Sequence, residues 1–213
     1  MTNRTPLRIP GITELPPSGR GMRIGLFGGS FNPVHEGHLL VAEQTLLKLE
    51  LDALWVLVTP GNPLKDRTEL APLEERVLAT RAMMDHPRIK VTGFEAAHGF
   101  TYSWQTVRFL TQSLPGRKFV WIMGADNLVA FDRWERWRDI ASMLPMAIYV
   151  RPGSNRRAPT SLAATALARY RIDESDAGRL ASLKPPAWVY LHGLTSALSS
   201  SAIRARRRRE PLV

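Results

Sequence analysis

Apolar residues along this chain fall into two patterns: short unbroken runs, and longer stretches in which they return every three or four positions. The runs at 23–27 (RIGLF), 53–58 (ALWVLV), 89–91, 119–123 (FVWIM), 146–150 and 188–191 predict buried β-strands. The stretch from Glu36 places Leu39, Leu40, Ala42, Leu46, Leu47 and Leu49 on the stripe of an amphipathic helix. A second helix is expected over 72–84, with Pro72 at its start and Glu74 and Glu75 in its first turn. A third covers 104–112, capped by a hydroxyl of the Thr101-Tyr102-Ser103 triplet. Trp134 and Trp137 are three apart and are expected on one face of a short helix. Residues 161–183, rich in Ala and Leu, suggest one or two surface helices, and a last helix begins at Ser199-Ser200-Ser201. Strand and helix alternate throughout, which predicts an α/β fold with a doubly wound parallel sheet and a ligand at the carboxyl ends of its strands. The 119–123 run, apolar at every position, reads as a central strand.

Between the first strand and the first helix lies GGSFNPVHEGH. Gly28 and Gly29 allow the main chain to approach a ligand closely, and the helix start behind them offers free N–H groups and a positive dipole end to phosphate. Neither GxGxxG nor GxxxxGK[ST] is present. His35 and His38 instead stand three apart at the mouth of the helix, with Gly37 between them, where both can donate to one polyphosphate. Lys65 follows the second strand; a loop lysine is usually only solvated, but one just beyond the carboxyl end of a parallel strand can reach a phosphate. Asp126, just past the central strand, is equally suited to a ribose or to capping the next helix. Serine hydroxyls at the start of the last helix, with Arg204 one turn inside it, suit either a plain cap or an anion site that grips phosphate oxygens. His86 and His98 have no partner at metal-ligand spacing and read as surface loop histidines.

Composition narrows this picture. A chain of 213 residues with 44% hydrophobic content suits one domain. The absence of cysteine excludes disulfides and thiolate chemistry, and is compatible with a cytoplasmic protein. No apolar run approaches the ~20 residues of a membrane span. A net charge of +10 favours anionic partners. Part of it lies in Arg204 and Arg206 to Arg209, but no aromatics are interleaved there for stacking on bases. Residues 1–21 are rich in Pro and Gly and read as a disordered, dispensable leader outside a domain at 22–213.

GGSFNPVHEGHL is similar to the GGTFDPxHxGH signature of the nucleotidyltransferase superfamily. Gly124-Ala125-Asp126 followed by Trp134, Arg151-Pro152-Gly153, and LSSSAIR at 198–204 extend the likeness over 22–206, in the order found in bacterial nicotinate-nucleotide adenylyltransferases. The chain departs from that pattern at Ser30, Asn32 and Leu64, where threonine, aspartate and histidine are usual. The resemblance implies a Rossmann-like fold and transfer of AMP from ATP to nicotinate mononucleotide, giving nicotinate adenine dinucleotide and pyrophosphate. It assigns catalysis to His35, His38 and Arg204, and ATP binding to Gly28, Gly29, Ser30, Phe31, Gly124, Asp126, Ser200 and Ser201. Lys65, Tyr102, Ser103 and Trp134 go to the mononucleotide, Trp134 by stacking on its ring. Mg²⁺ is expected on the ATP, with no protein metal site; a homo-oligomer is left open and no membrane or nucleic acid is expected. The alternatives are another adenylyl- or cytidylyltransferase, acting on nicotinamide mononucleotide or phosphopantetheine, and a basic RNA-binding protein.

Overall fold

A computed structural model describes residues 4–61, 70–150, 157–193 and 200–209. The strands are β1 (Arg23–Gly29), β2 (Ala53–Val58), β3 (Ile89–Thr92), β4 (Lys118–Gly124), β5 (Met146–Val150) and β6 (Trp188–His192). They form one six-stranded sheet in the order β3-β2-β1-β4-β5-β6, every pair parallel. The chain therefore winds outward from β1 through β2 to β3, then crosses back to β4 and winds the other way. Loops leaving β1 and β4 diverge, and the crevice between them is the natural ligand position in such a sheet.

The helices are α1 (Glu36–Lys48), α2 (Leu73–Met83), α3 (Phe94–Ala97), α4 (Ser103–Ser113), α5 (Ala125–Val129), α6 (Trp137–Met143), α7 (Leu162–Ala166) and α8 (Ser200–Arg209). Alternate strand residues feed two cores. Leu26, Trp55, Trp121 and Ile148 pack with α4 and α6 on one face, while Val56, Ile122, Ala147 and Val189 pack with α1 and α2 on the other. Two-sided burial explains why the strands read as unbroken apolar runs.

Four expectations change. The buried face of α1 is formed by Val41, Ala42, Thr45 and Leu46, whereas Leu39 and Leu40 are only partly buried and Leu47 is 64% exposed, because the face that meets the sheet is turned from the stripe that the leucines mark. Trp134 and Trp137 do not share a helix: Trp134 follows a 3₁₀ turn at Phe131–Arg133, Arg136 adopts a left-handed conformation (φ 55°), and Trp137 starts α6. The segment 161–183 is α7 and two 3₁₀ turns, with Ala163, Ala164, Ala177 and Leu180 buried, and not a surface layer.

The fourth change concerns the leader. Residues 4–21 are docked on the domain, not outside it. Ile12 is 5% exposed within the α1–α2 core, and Leu15 packs against the opposite one. The Gly93 N–H donates to the Ile12 carbonyl at 2.9 Å, the Thr92 hydroxyl to the Glu14 carbonyl at 2.6 Å, and Arg117 to the Ser18 carbonyl at 2.9 Å. Few apolar residues suffice here because the segment is held mainly through its backbone carbonyls.

Candidate active site

The turn after β1 is shaped by one aromatic ring. Phe31 has φ 46° and is 1% exposed, and its ring lies edge-on to Phe27 at 5.6 Å and against His38 at 4.9 Å. A Cβ on Gly29 would meet that ring at 3.0 Å, so glycine is what lets the turn close over it. Phe31 thus holds the loop from below, and any contact it makes with a nucleotide is through its backbone. Asn32 is likewise an anchor, its side-chain oxygen accepting from the Ala71 N–H at 3.3 Å.

His35 and His38 are brought together, with ring centroids 3.8 Å apart. His38 Nδ1 accepts the His35 backbone N–H at 3.3 Å, which puts the proton of a neutral His38 on Nε2 and makes that atom a donor. His38 is half-buried and His35 is 4% exposed. Both sit at the start of a 13-residue helix whose dipole adds to any attraction for phosphate.

The last helix lands on this loop. Ser200 Oγ donates to the Pro33 carbonyl at 2.9 Å, and the Arg204 guanidinium donates to the Asn32 carbonyl. Residues far apart in sequence, His35, His38, Ser200 and Arg204, are thereby gathered at one place. Arg76 holds the same loop from the other side. The residue is 4% exposed, and its guanidinium donates to the carbonyls of Ser30, Thr59 and Ala71, each at 2.8 Å. Burial, and secondarily the charge of Arg4, lowers its pKa to about 10, so it remains a cation at neutral pH.

Beside Gly28, Gly29 and Ser30 opens a cavity of about 420 Å³ that also has Tyr102, Ser103, Trp121 and Trp134 in its wall. Trp134 is held by Phe131 at 5.4 Å and by Trp121 at 6.4 Å, both edge-to-face, which braces its ring. Tyr102 precedes the first turn of α4, where Gln105 Oε1 accepts the N–H groups of Thr101 and Tyr102 at 2.8 and 3.0 Å. Gly124 and Asp126 stay outside this wall: Asp126 is exposed in the first turn of α5, with its carboxylate folded over Gly124. Lys65, Leu64 and Arg151-Pro152-Gly153 lie outside the described residues, as does the side chain of Ser201.

Sequence reasoning missed several wall residues. Asn127, Arg133 and Glu135 line the cavity, the last two as the neighbours of Trp134 in FDRWERW, where the motif itself pointed. Glu95 lines it too, 6% exposed, accepting the Thr106 hydroxyl at 2.6 Å. Burial raises its pKa to about 7 against the opposing effects of Thr106 and Arg4. Its signal was a lone acid within the apolar stretch GFEAA. The arrangement as a whole offers donors and cations on one side and an aromatic slot on the other. It can hold a polyphosphate next to a planar ring. Among the described residues no group of His, Asp and Glu is placed to hold a metal ion, and no helix is long and apolar enough to cross a membrane.

Known proteins resemble this chain in sequence and in fold. Residues 26–206 match the cytidylyltransferase-like family model. A protein of Methylorubrum extorquens named as a probable nicotinate-nucleotide adenylyltransferase is 55% identical over 87% of this chain and 100% of its own length. One of the same name from Agrobacterium fabrum is 53% identical over 86% of this chain and 98% of its own. The solved nicotinic acid mononucleotide adenylyltransferase of Plasmodium falciparum, complexed with NaAD, superposes with a TM-score of 0.65 at 17% identity, covering 86% of this chain and 83% of that one, a likeness of fold. The chain belongs to the nicotinate-nucleotide adenylyltransferases, within the cytidylyltransferase-like family.

Proposed function

We infer that the protein transfers AMP from ATP to the 5′-phosphate of nicotinate mononucleotide, releasing pyrophosphate and nicotinate adenine dinucleotide. The observation that carries this reading is that one loop serves two unlike halves: Gly28 to Ser30 wall the cavity together with Ser103 and the braced Trp134 ring, and the following residues carry the His35–His38 pair and receive Ser200 and Arg204 at the Pro33 and Asn32 carbonyls. The first suits a pyridine ring bearing a carboxylate, since helix N–H groups favour an anion. The second suits a triphosphate.

The attacking phosphate oxygen is already ionised near neutral pH, so no residue need remove a proton. The work is alignment of two anions and stabilisation of charge on the α-phosphate and the departing pyrophosphate. His38 Nε2–H and His35 serve as donors to the phosphates, and Arg204 as their cation. Gly28, Gly29, Ser30 and the Phe31 backbone form the floor on which ATP lies, with Gly124, Asp126, Ser200 and Ser201 at its ribose and phosphate edges. Tyr102, Ser103, Trp134 and Lys65 hold the mononucleotide. Mg²⁺ arrives with the triphosphate as part of that substrate and neutralises part of its charge. The test is pyrophosphate release from ATP with nicotinate mononucleotide, nicotinamide mononucleotide and phosphopantetheine in parallel. A clear preference in kcat/KM for nicotinate mononucleotide is expected. Equal use of the amide would remove the nicotinate assignment, and release with phosphopantetheine alone would move the protein to another branch of the fold.

A further inference from the structure

Arg4 stands outside the motifs of the family and outside the cavity wall, yet it joins two edges of that cavity. Its guanidinium donates to the Gly61 carbonyl at 2.7 Å, and its backbone N–H donates to the Gly99 carbonyl at 3.0 Å. Thr59, Pro60 and Gly61 form one lip of the cavity; Glu95 and Phe100 to Ser103 form the other. The contact is built from both sides. Gly99 has φ +64°, and a Cβ there would collide with the Arg4 carbonyl oxygen. The Leu7 N–H continues the pairing to the Ala96 carbonyl at 2.8 Å, and Arg81 fastens the strap further on by donating to the Gly11 carbonyl at 2.6 Å.

We propose that residues 4–15 form a strap across the acceptor cavity in which Arg4 is a positioning residue, setting the separation of the 59–61 and 95–103 lips and so the fit of the acidic mononucleotide. The inference rests on the acceptor assignment made above. Arg4 acts through its neighbours. It fixes Gly61, and its charge opposes the burial that raises the Glu95 pKa. A cation behind a wall that carries a buried carboxyl keeps the potential in the cavity favourable to an anionic ring substituent. The proposed ATP floor, Gly28 to Ser30, joins the 59–61 lip where the Thr59 N–H donates to the Gly29 carbonyl at 2.9 Å, one step further from Arg4 than the acceptor wall.

The experiment uses the full-length protein and steady-state kinetics with each substrate varied in turn, together with thermal melts. Arg4→Ala is expected to raise the KM for nicotinate mononucleotide about tenfold, the loss of one charge-assisted hydrogen bond, with the ATP KM unchanged. Arg4→Lys keeps a charge and a donor and should stay within about threefold of the wild type. Gly99→Ala displaces the strap from the opposite side and should reproduce the Arg4→Ala pattern. Arg8→Ala, in the exposed part of the strap, should change neither KM. An acceptor KM that does not move in Arg4→Ala, parallel rises in both substrates, or a lysine variant as weak as the alanine one would overturn the proposal. Failure of the acceptor assignment would show in the wild-type protein itself, as no pyrophosphate release with nicotinate mononucleotide; failure of the strap shows only in the ratio of variant to wild type.

Discussion

The turns that leave β1 and β4 begin alike, each with a glycine at the carboxyl end of a central strand, and are then stabilised by different means. After β1 three backbone carbonyls are taken by side chains from elsewhere in the chain: Ser30 by Arg76, Asn32 by Arg204 and Pro33 by Ser200. After β4 the chain enters α5 at once, and the wall is made by Trp121, Phe131 and Trp134 packed edge-to-face. One half is fixed by hydrogen bonds that turn its donors toward a ligand. The other is fixed by dispersion and ring geometry, which leave a flat apolar surface. The contrast teaches that the site divides its labour by type of force, so substitutions in the two halves should damage different kinetic constants.

The largest effect should come from the histidines. His38→Ala is expected to lower kcat about 10²-fold, as for loss of one preorganised donor, with little change in melting temperature. His35→Ala should do the same to kcat and also destabilise, because its ring is almost fully covered. Asparagine at either position should retain more activity than alanine. Full activity in both alanine variants would erase the difference between the halves.

Arg204→Ala comes next. Losing a charged donor costs roughly 2 kcal/mol, about 30-fold in kcat/KM for ATP. Neutralising Arg206 to Arg209 together should leave catalysis nearly intact, and an equal loss from those four would make the effect one of general charge. On the aromatic side, Trp134→Ala should raise the mononucleotide KM about tenfold through lost stacking and apolar contact while sparing ATP. A fall in kcat alone would mean that the ring orients the phosphate and does not merely bind the base.

The smallest effect concerns Glu95. The folded protein keeps its proton up to about pH 7, against 4.5 for an ordinary glutamate, because burial disfavours the carboxylate. Between those values the native state binds more protons than the unfolded one, so the contribution is complete below about pH 4.5 and declines as pH rises toward 7. The wild-type melting temperature should therefore fall more between about pH 5 and pH 8 than that of Glu95→Gln, which mimics the protonated form. Parallel pH profiles would show that Glu95 is ionised throughout.

The strands, their parallel arrangement and the β1 loop were legible because each leaves a local mark: apolar runs buried on both faces, and glycines where a Cβ cannot fit. Docking of residues 4–21 was not. Its hydrogen bonds reach partners 57 to 99 positions away, as for Arg4 with Gly61 and Ser18 with Arg117, and only Ile9, Ile12 and Leu15 supply apolar contact. Periodicity cannot register such a segment. Arg76 was legible only as a residue near the start of α2, since nothing local distinguishes an arginine that binds three carbonyls from one in solvent. The separate fates of Trp134 and Trp137 turn on the left-handed backbone of Arg136, a conformation uncommon outside glycine and asparagine and so invisible to a spacing rule.

The sheet and the completion of the site are separable along the chain. The sixth strand closes one edge of the sheet at His192, whereas the Asn32 and Pro33 carbonyls receive their partners only from α8. A protease clipping the chain just before α8 would therefore abolish turnover and leave the sheet standing.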